Sequence, residues 1–187
     1  MNIDVYKGNE KALLILTGIG GSTKGYKDKY VTIASQINQK YGVTVFVVAV
    51  ESGVWNNEKQ YFDKIIKEIE NSAKVMNIKI KEIYAMGSSG GASLLIHNSH
   101  RDERIKKILA INFVFNINYN LFNDFIKAYK GEATLIIGEK DESFKFLEII
   151  KKFEQKNITI EAIPNADHYF TGMLDEYIAL PQKFLYN

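Results

Sequence analysis

The sequence predicts an α/β fold, a three-layer α/β/α arrangement around a doubly wound, mostly parallel sheet. Three observations carry this. Short runs rich in Val, Ile and Leu recur along the chain. They are apolar at consecutive positions, as strands covered on both faces are. Stretches with helical spacing separate them, and such βα repeats wind into a parallel sheet with right-handed crossovers.

Taken in order, Ile3 and Val5 alternate with polar neighbours, Lys7-Gly8-Asn9-Glu10 supplies turn chemistry, and Ala12 to Leu16 is a buried strand, so the opening reads as a hairpin. Further strands are expected at Val43 to Val50, Glu82 to Met86, Ile108 to Phe115, Ala133 to Ile137 and Ile158 to Ile163. Between them, Tyr30, Ile33, Ala34 and Ile37 share one helical face, and Phe62, Ile65, Ile66 and Ile69 share another. Later helical stretches run from Leu94 to Ile96, Phe122 to Tyr129, Phe144 to Phe153 and Phe170 to Leu185. No linker, repeat or low-complexity segment interrupts the pattern, and residues 1–187 read as a single domain.

Composition narrows the function classes. The 187 residues are 46% hydrophobic and 25% charged, the balance of a globular protein. The net charge is +2 and the lysines are scattered, so no basic stripe points to nucleic acid. There is no cysteine, which removes disulfides, thiolate metal sites and a cysteine nucleophile together. The apolar run at Ala12 is too short to span a membrane and lacks the basic flank of a signal peptide, so the chain reads as cytoplasmic.

In a sheet of this kind the chemistry sits where strands turn into helices. The strongest such turn is Gly87-Ser88-Ser89-Gly90-Gly91, which fits G-x-S-x-G with Ser89 at its centre. The spacing has a steric origin. A sharp turn strains the central residue, and side chains two positions to either side would collide with neighbouring elements, so glycine at 87 and 91 is what the turn needs. Ser88 is the rival in register, but Met86 occupies its minus-two position. A glycine-rich turn of this length also suits phosphate binding. The other such loop, Thr17-Gly18-Ile19-Gly20-Gly21-Ser22, fails both nucleotide patterns: Thr23 stands where the dinucleotide fingerprint needs glycine, and Gly25 follows Lys24 where a phosphate loop needs Ser or Thr.

These motifs resemble the α/β-hydrolase superfamily over essentially the whole chain, in its small, lidless form. The glycine loop after the strand at Ala12 matches the family's oxyanion loop, although Thr17 stands where the family usually has histidine. Leu135-Ile136-Ile137-Gly138-Glu139-Lys140-Asp141 matches its acid-bearing turn, and Ala166-Asp167-His168 matches the turn before the final helix. The resemblance implies a catalytic Ser89, Asp141 and His168 in that chain order. It also implies backbone N–H donors at Ile19 and Gly90 for an oxyanion. His97 and His100 fall on the helix behind Ser89, roughly 12 and 16 Å along it, and are expected to be packing or surface residues.

The implied chemistry is hydrolysis of an ester or thioester of a small acyl substrate through an acyl-enzyme, with no cofactor and no metal. A peptidase or acyltransferase using the same three residues, or a non-catalytic binding protein of the same fold, are the alternatives. Only 116–121 is free for an inserted cap within the 52 residues from Ser89 to Asp141 (141 − 89), so the site is expected to be open. Its walls are expected to include Trp55 and Phe115 or Tyr119.

Overall fold

The computed structural model describes residues 1–114 and 119–187, apart from the side chains of Tyr119 and Leu121. Seven strands form one sheet in the spatial order β1-β3-β2-β4-β5-β6-β7. They are β1 (Asn2–Tyr6), β2 (Asn9–Leu16), β3 (Val43–Ala49), β4 (Glu82–Ser88), β5 (Ile105–Ile111), β6 (Glu132–Gly138) and β7 (Ile158–Ile163). All neighbours pair in parallel except β1, which runs antiparallel to β3 at the edge.

The period-two alternation of strand side chains divides the core into two layers. Leu14 and Leu16 of β2, Phe46 and Val48 of β3 and Ala110 of β5 face one layer, which is capped by α2 (Glu58–Val75), α3 (Gly90–Asn98), α4 (Tyr119–Ala128) and the short α5 (Leu147–Ile150). Leu13, Ile15, Val45, Val47 and Met86 face the other, covered by α1 (Lys29–Tyr41) and α6 (Leu174–Leu185). Three layers therefore hold, as the consecutive apolar residues in the strands require. Each fully buried Leu or Ile of this kind stabilises by about 1.5–3 kcal/mol.

The helices' sides follow from handedness. From β2 to β3 the chain moves toward one sheet edge with α1 on one face; from β3 it steps back over β2 to β4 with α2 on the opposite face. The direction of winding thus reverses between β2 and β4. A crevice opens outside their carboxyl ends, where open α/β sheets place their ligands.

The opening is not a hairpin. β1 and β2 run in opposite directions, but β3 lies between them. The Lys7-Gly8 link passes beneath the start of β3: the Gly8 N–H donates to Thr44 Oγ1 at 3.1 Å, the Asn9 N–H to the Gly42 carbonyl at 2.8 Å, and Asn38 Nδ2 to the carbonyls of both Lys7 and Val43 at 2.9 Å. The reason is burial. Leu13 to Leu16 have no exposed surface and need a fully covered strand on each side, whereas β1 is partly exposed and belongs at an edge.

Smaller differences have local causes. β5 ends at Ile111 because Asn112 adopts φ 48°, so the strand lies earlier than the expected Ile108–Phe115, and Phe115 lies outside the described residues. The helix expected from Phe170 starts only at Leu174, since Phe170 and Gly172 hold φ 55° and 77°. The segment from Phe144 to Phe153 is mostly tight 3₁₀ turns around α5. Among the described residues, no helix is long and apolar enough to cross a membrane.

The passage of the first link under β3 can be tested. A Cβ at Gly8 would meet the Val43 carbonyl carbon at 2.3 Å. Gly8→Ala is therefore expected to destabilise the protein by about 1–3 kcal/mol, the usual cost of overpacking, measured as a drop in the urea midpoint. An unchanged midpoint would mean that β3 is not wedged against this link.

Candidate active site

Ser89 sits on the single residue between β4 and α3, at φ 53° and ψ −120°, a conformation that side chains rarely adopt. The turn is held by backbone contacts on all sides. The Ser89 N–H donates to the Ile111 carbonyl at 2.8 Å, and its carbonyl accepts the Ser93 N–H at 3.0 Å. The flanking glycines are required at close range: a Cβ on Gly87 would lie 2.6 Å from the Ala92 nitrogen, and one on Gly91 would lie 2.3 Å from the Thr17 carbonyl oxygen. The strained turn thus brings α3 into direct contact with the loop after β2.

That arrangement points the Ser89 hydroxyl at His168, with Oγ and Nε2 3.0 Å apart. The other ring nitrogen, Nδ1, lies 2.5 Å from Asp141 Oδ2. Asp141 has its carboxylate almost wholly shielded, at 1% exposure, while the His168 ring is 35% exposed. The carboxylate's second oxygen accepts the Ser143 N–H at 2.7 Å. Burial alone would raise the Asp141 pKa, but the bonds from His168 and Ser143 outweigh it and hold the group below its ordinary value. The bond to Asp141 in turn raises His168 above 6.5, against the opposing effect of its own partial burial. Ser88 ends β4, buried, and Ser89 is the serine that meets the histidine.

Loop chemistry fixes the histidine. Asp167 accepts the N–H groups of Tyr169 and Thr171 at 3.0 and 2.8 Å, closing a tight turn around His168. Asn112, buried at the end of β5, donates from Nδ2 to the carbonyls of Asp167 and His168 at 3.0 and 3.1 Å, and accepts the Gly138 N–H at 2.7 Å. One amide thus ties the ends of β5 and β6 to the histidine loop. Sequence reasoning missed this residue. Its signal was there: a lone polar side chain among the apolar residues from Ile108 to Phe113.

The loop after β2 approaches Ser89 from the other side, with a Cβ built on Gly18 3.6 Å from the Ser89 Cβ. Thr17 is fully buried and accepts the Val50 N–H at 3.1 Å while donating to the Gly18 carbonyl at 2.9 Å. Gly20 and Gly21 use their N–H groups on Val50 and Gly18. Among the described residues, no hydrogen bond takes the N–H of Ile19 or of Gly90. Gly90 is the first residue of α3, where amides have no intrahelical acceptor.

A cleft of about 300 Å³ opens over Ser89 and His168. Thr17, Gly18, Ile19, Tyr26, Lys29 and Tyr169 are among the residues that line it. Ile19, Tyr26 and Tyr169 are 38%, 69% and 78% exposed, an unusual concentration of open apolar surface at one cleft. Trp55 is half-buried, packs edge-on to His97 at 6.2 Å between ring centres, and lies 3.5 Å from where a Cβ on Gly90 would stand. Phe115 lies outside the described residues, as do the Tyr119 side chain and most of the 116–121 segment on which the open-site expectation rested. His97 is a packing residue, buried with its Nδ1 2.9 Å from Glu58.

No protein-family model and no curated protein sequence matches the chain. Solved structures do match. Est1E from Butyrivibrio proteoclasticus superposes with a TM-score of 0.72 at 15% identity, over 98% of this chain and 91% of that one. A putative alpha/beta hydrolase from Agrobacterium tumefaciens, ATU1826, gives 0.75 at 17% identity, over 98% and 88%. The Pyrococcus furiosus esterase Pf2001 gives 0.67 at 18% identity, over 96% and 82%. With almost all of this chain and more than four fifths of each of those covered, and with the sheet order described above, the chain has the fold of the α/β-hydrolase superfamily.

Proposed function

We propose that the protein is a serine hydrolase that cleaves an ester or thioester of a small acyl substrate. The observation that carries the reading is the continuous hydrogen-bonded series from Ser89 Oγ through His168 to Asp141, on a strained turn, facing an open cleft. A serine in an ordinary structural role has no need of positive φ, a histidine within hydrogen-bond reach and a shielded carboxylate behind it.

In this reading His168 Nε2 takes the hydroxyl proton as Ser89 Oγ bonds to the substrate's carbonyl carbon. The electron pair of the carbonyl moves to its oxygen, which the N–H groups of Ile19 and Gly90 would receive. Donors of this kind contribute about 3 kcal/mol each to a transition state. Collapse expels the alkoxide or thiolate, which takes the proton from His168. Water then repeats the sequence on the acyl-enzyme and regenerates Ser89. Asp141 accepts Nδ1–H throughout, keeping Nε2 unprotonated in the resting state and stabilising the imidazolium. The exposed rings of Tyr26 and Tyr169 and the Ile19 side chain favour an apolar or aromatic group on the substrate.

Ser89→Ala is expected to lower kcat on short-chain 4-nitrophenyl esters and acyl thioesters by about 10³-fold or more, and to abolish labelling by a fluorophosphonate. Wild-type protein that neither labels nor turns over would favour a binding role. His168 must be neutral to accept the proton, and Asp141 raises its pKa, so kcat/KM should climb with pH through a midpoint above 6.5. Asp141→Asn should move the His168 titration, followed by imidazole NMR, down toward the ordinary value and lower kcat by about 10⁴-fold. A His168 midpoint unmoved by that substitution would count against the pairing.

A further inference from the structure

Among the described residues, one lysine, Lys29, and no carboxylate line the cleft over Ser89. Lys29 opens α1, and the chain reaches it through a backbone contorted at three of the four preceding positions: Gly25, Lys27 and Asp28 hold φ 71°, 49° and 56°. Among the described residues, the ammonium has no acidic partner. It rests against aromatic rings instead, 3.9 Å from the centre of Tyr177 and 5.0 Å from that of Tyr30. Burial lowers its pKa to about 8, with no neighbouring carboxylate to offset the loss of solvation.

Five other basic residues, Lys11, Lys81, Lys107, Arg101 and Arg104, each sit on an acidic partner. Lys29 is half-buried, lacks such a partner and faces the reacting serine's cleft. Aromatic faces recover part of the cost of desolvating a cation. An anion arriving in the cleft would recover much more, because a charge-assisted hydrogen bond in a partly dry site is stronger than one in water.

We propose that Lys29 selects substrates carrying a negative charge, so that the hydrolysed ester bears an anionic group, such as a carboxylate, on its acyl or its alcohol side. The inference rests on the serine hydrolase reading and adds the substrate class. Tyr26 and Tyr169 would hold the apolar body of the substrate while Lys29 receives its charge. The same cleft would disfavour cationic esters, since His168 also becomes positive during the reaction.

Matched ester pairs test this and tell the two sides apart. 4-Nitrophenyl hemisuccinate against 4-nitrophenyl butyrate places the charge on the acyl side; 4-acetoxybenzoate against its methyl ester places it on the leaving group. In at least one pair the anionic ester should have the higher kcat/KM. In that pair, Lys29→Met should cut the anionic-to-neutral ratio by about 10–100-fold, as loss of a charge-assisted bond implies, and Lys29→Arg should restore part of it. A purely structural Lys29 would lower both members together and leave the ratio unchanged, which would overturn the proposal.

Calorimetric binding of succinate and benzoate to Ser89→Ala protein, with and without Lys29→Met, gives a readout independent of turnover. Equal binding in the two proteins would also overturn it. Turnover that depends on Ser89 but ignores substrate charge would leave the hydrolase reading standing and remove this inference alone. Anion binding that depends on Lys29, in a protein whose ester turnover survives Ser89→Ala, would do the reverse.

Discussion

Ser89 must hold a left-handed backbone conformation while carrying a side chain, and much of the structure around it exists to make that possible. The turn has almost no room. Its amide is committed to Ile111 on β5, its carbonyl to the first turn of α3, and the glycines two residues either side let the Leu16-Thr17 backbone and α3 close in to contact distances that a methyl group would forbid. This local crowding sets the positions of three separate elements at once. β2, β4 and β5 have to be neighbours, in register and ending at the same level, and the sheet order with its reversal between β2 and β4 delivers that. Strain of order 1–3 kcal/mol is tolerable only because the surrounding sheet is buried and cooperative.

The second side of the site is held by polar chemistry rather than by packing. Asn112, itself at positive φ, satisfies its amide on three backbone groups from two other segments. Asp141 and Asp167 each fold the chain back on themselves through their own carboxylates before the histidine enters. Burial of such a network is costly if any member is left unpaired, so a substitution at Asn112 acts on His168 through backbone placement rather than through contact. The division of labour is clear: steric closeness aims the serine, and hydrogen bonds aim the histidine.

Much of this was legible in the sequence, for physical reasons. Consecutive apolar residues at Leu13 to Leu16 and Val45 to Val48 fit strands buried on both faces, and the three-layer fold follows from them. Ser89, Asp141 and His168 were visible because each stands at the carboxyl end of a strand, where a short turn restricts which residue types fit. What was not visible depended on contacts between distant segments. Turn chemistry at Lys7-Gly8-Asn9-Glu10 is compatible with a hairpin or with a link passing under a third strand, and only the burial demand of β2 decides between them. The same holds for cleft residues that no motif marked: Tyr26, Lys29 and Tyr169 line the site from segments next to backbone at positive φ, which no local pattern announces. Trp55 packs against His97, forty-two residues on (97 − 55), a contact between distant segments of the same kind.

The placement of β3 between β1 and β2 also orders events during synthesis. The first two strands do not pair with each other in the folded sheet, so neither has its native neighbour until Val43–Ala49 has been made. β2 acquires its second neighbour only with Glu82–Ser88. For that interval Ala12 to Leu16, the most apolar stretch near the start, is an open template for pairing with another chain. Glu10 and Lys11 immediately precede it, and in the finished sheet they face Lys81 and Glu82 as ion pairs. Before that sheet exists, the same two charges stand as guards against intermolecular strand pairing. One pair of residues thus serves the nascent chain by its solubility and the folded one by its partners.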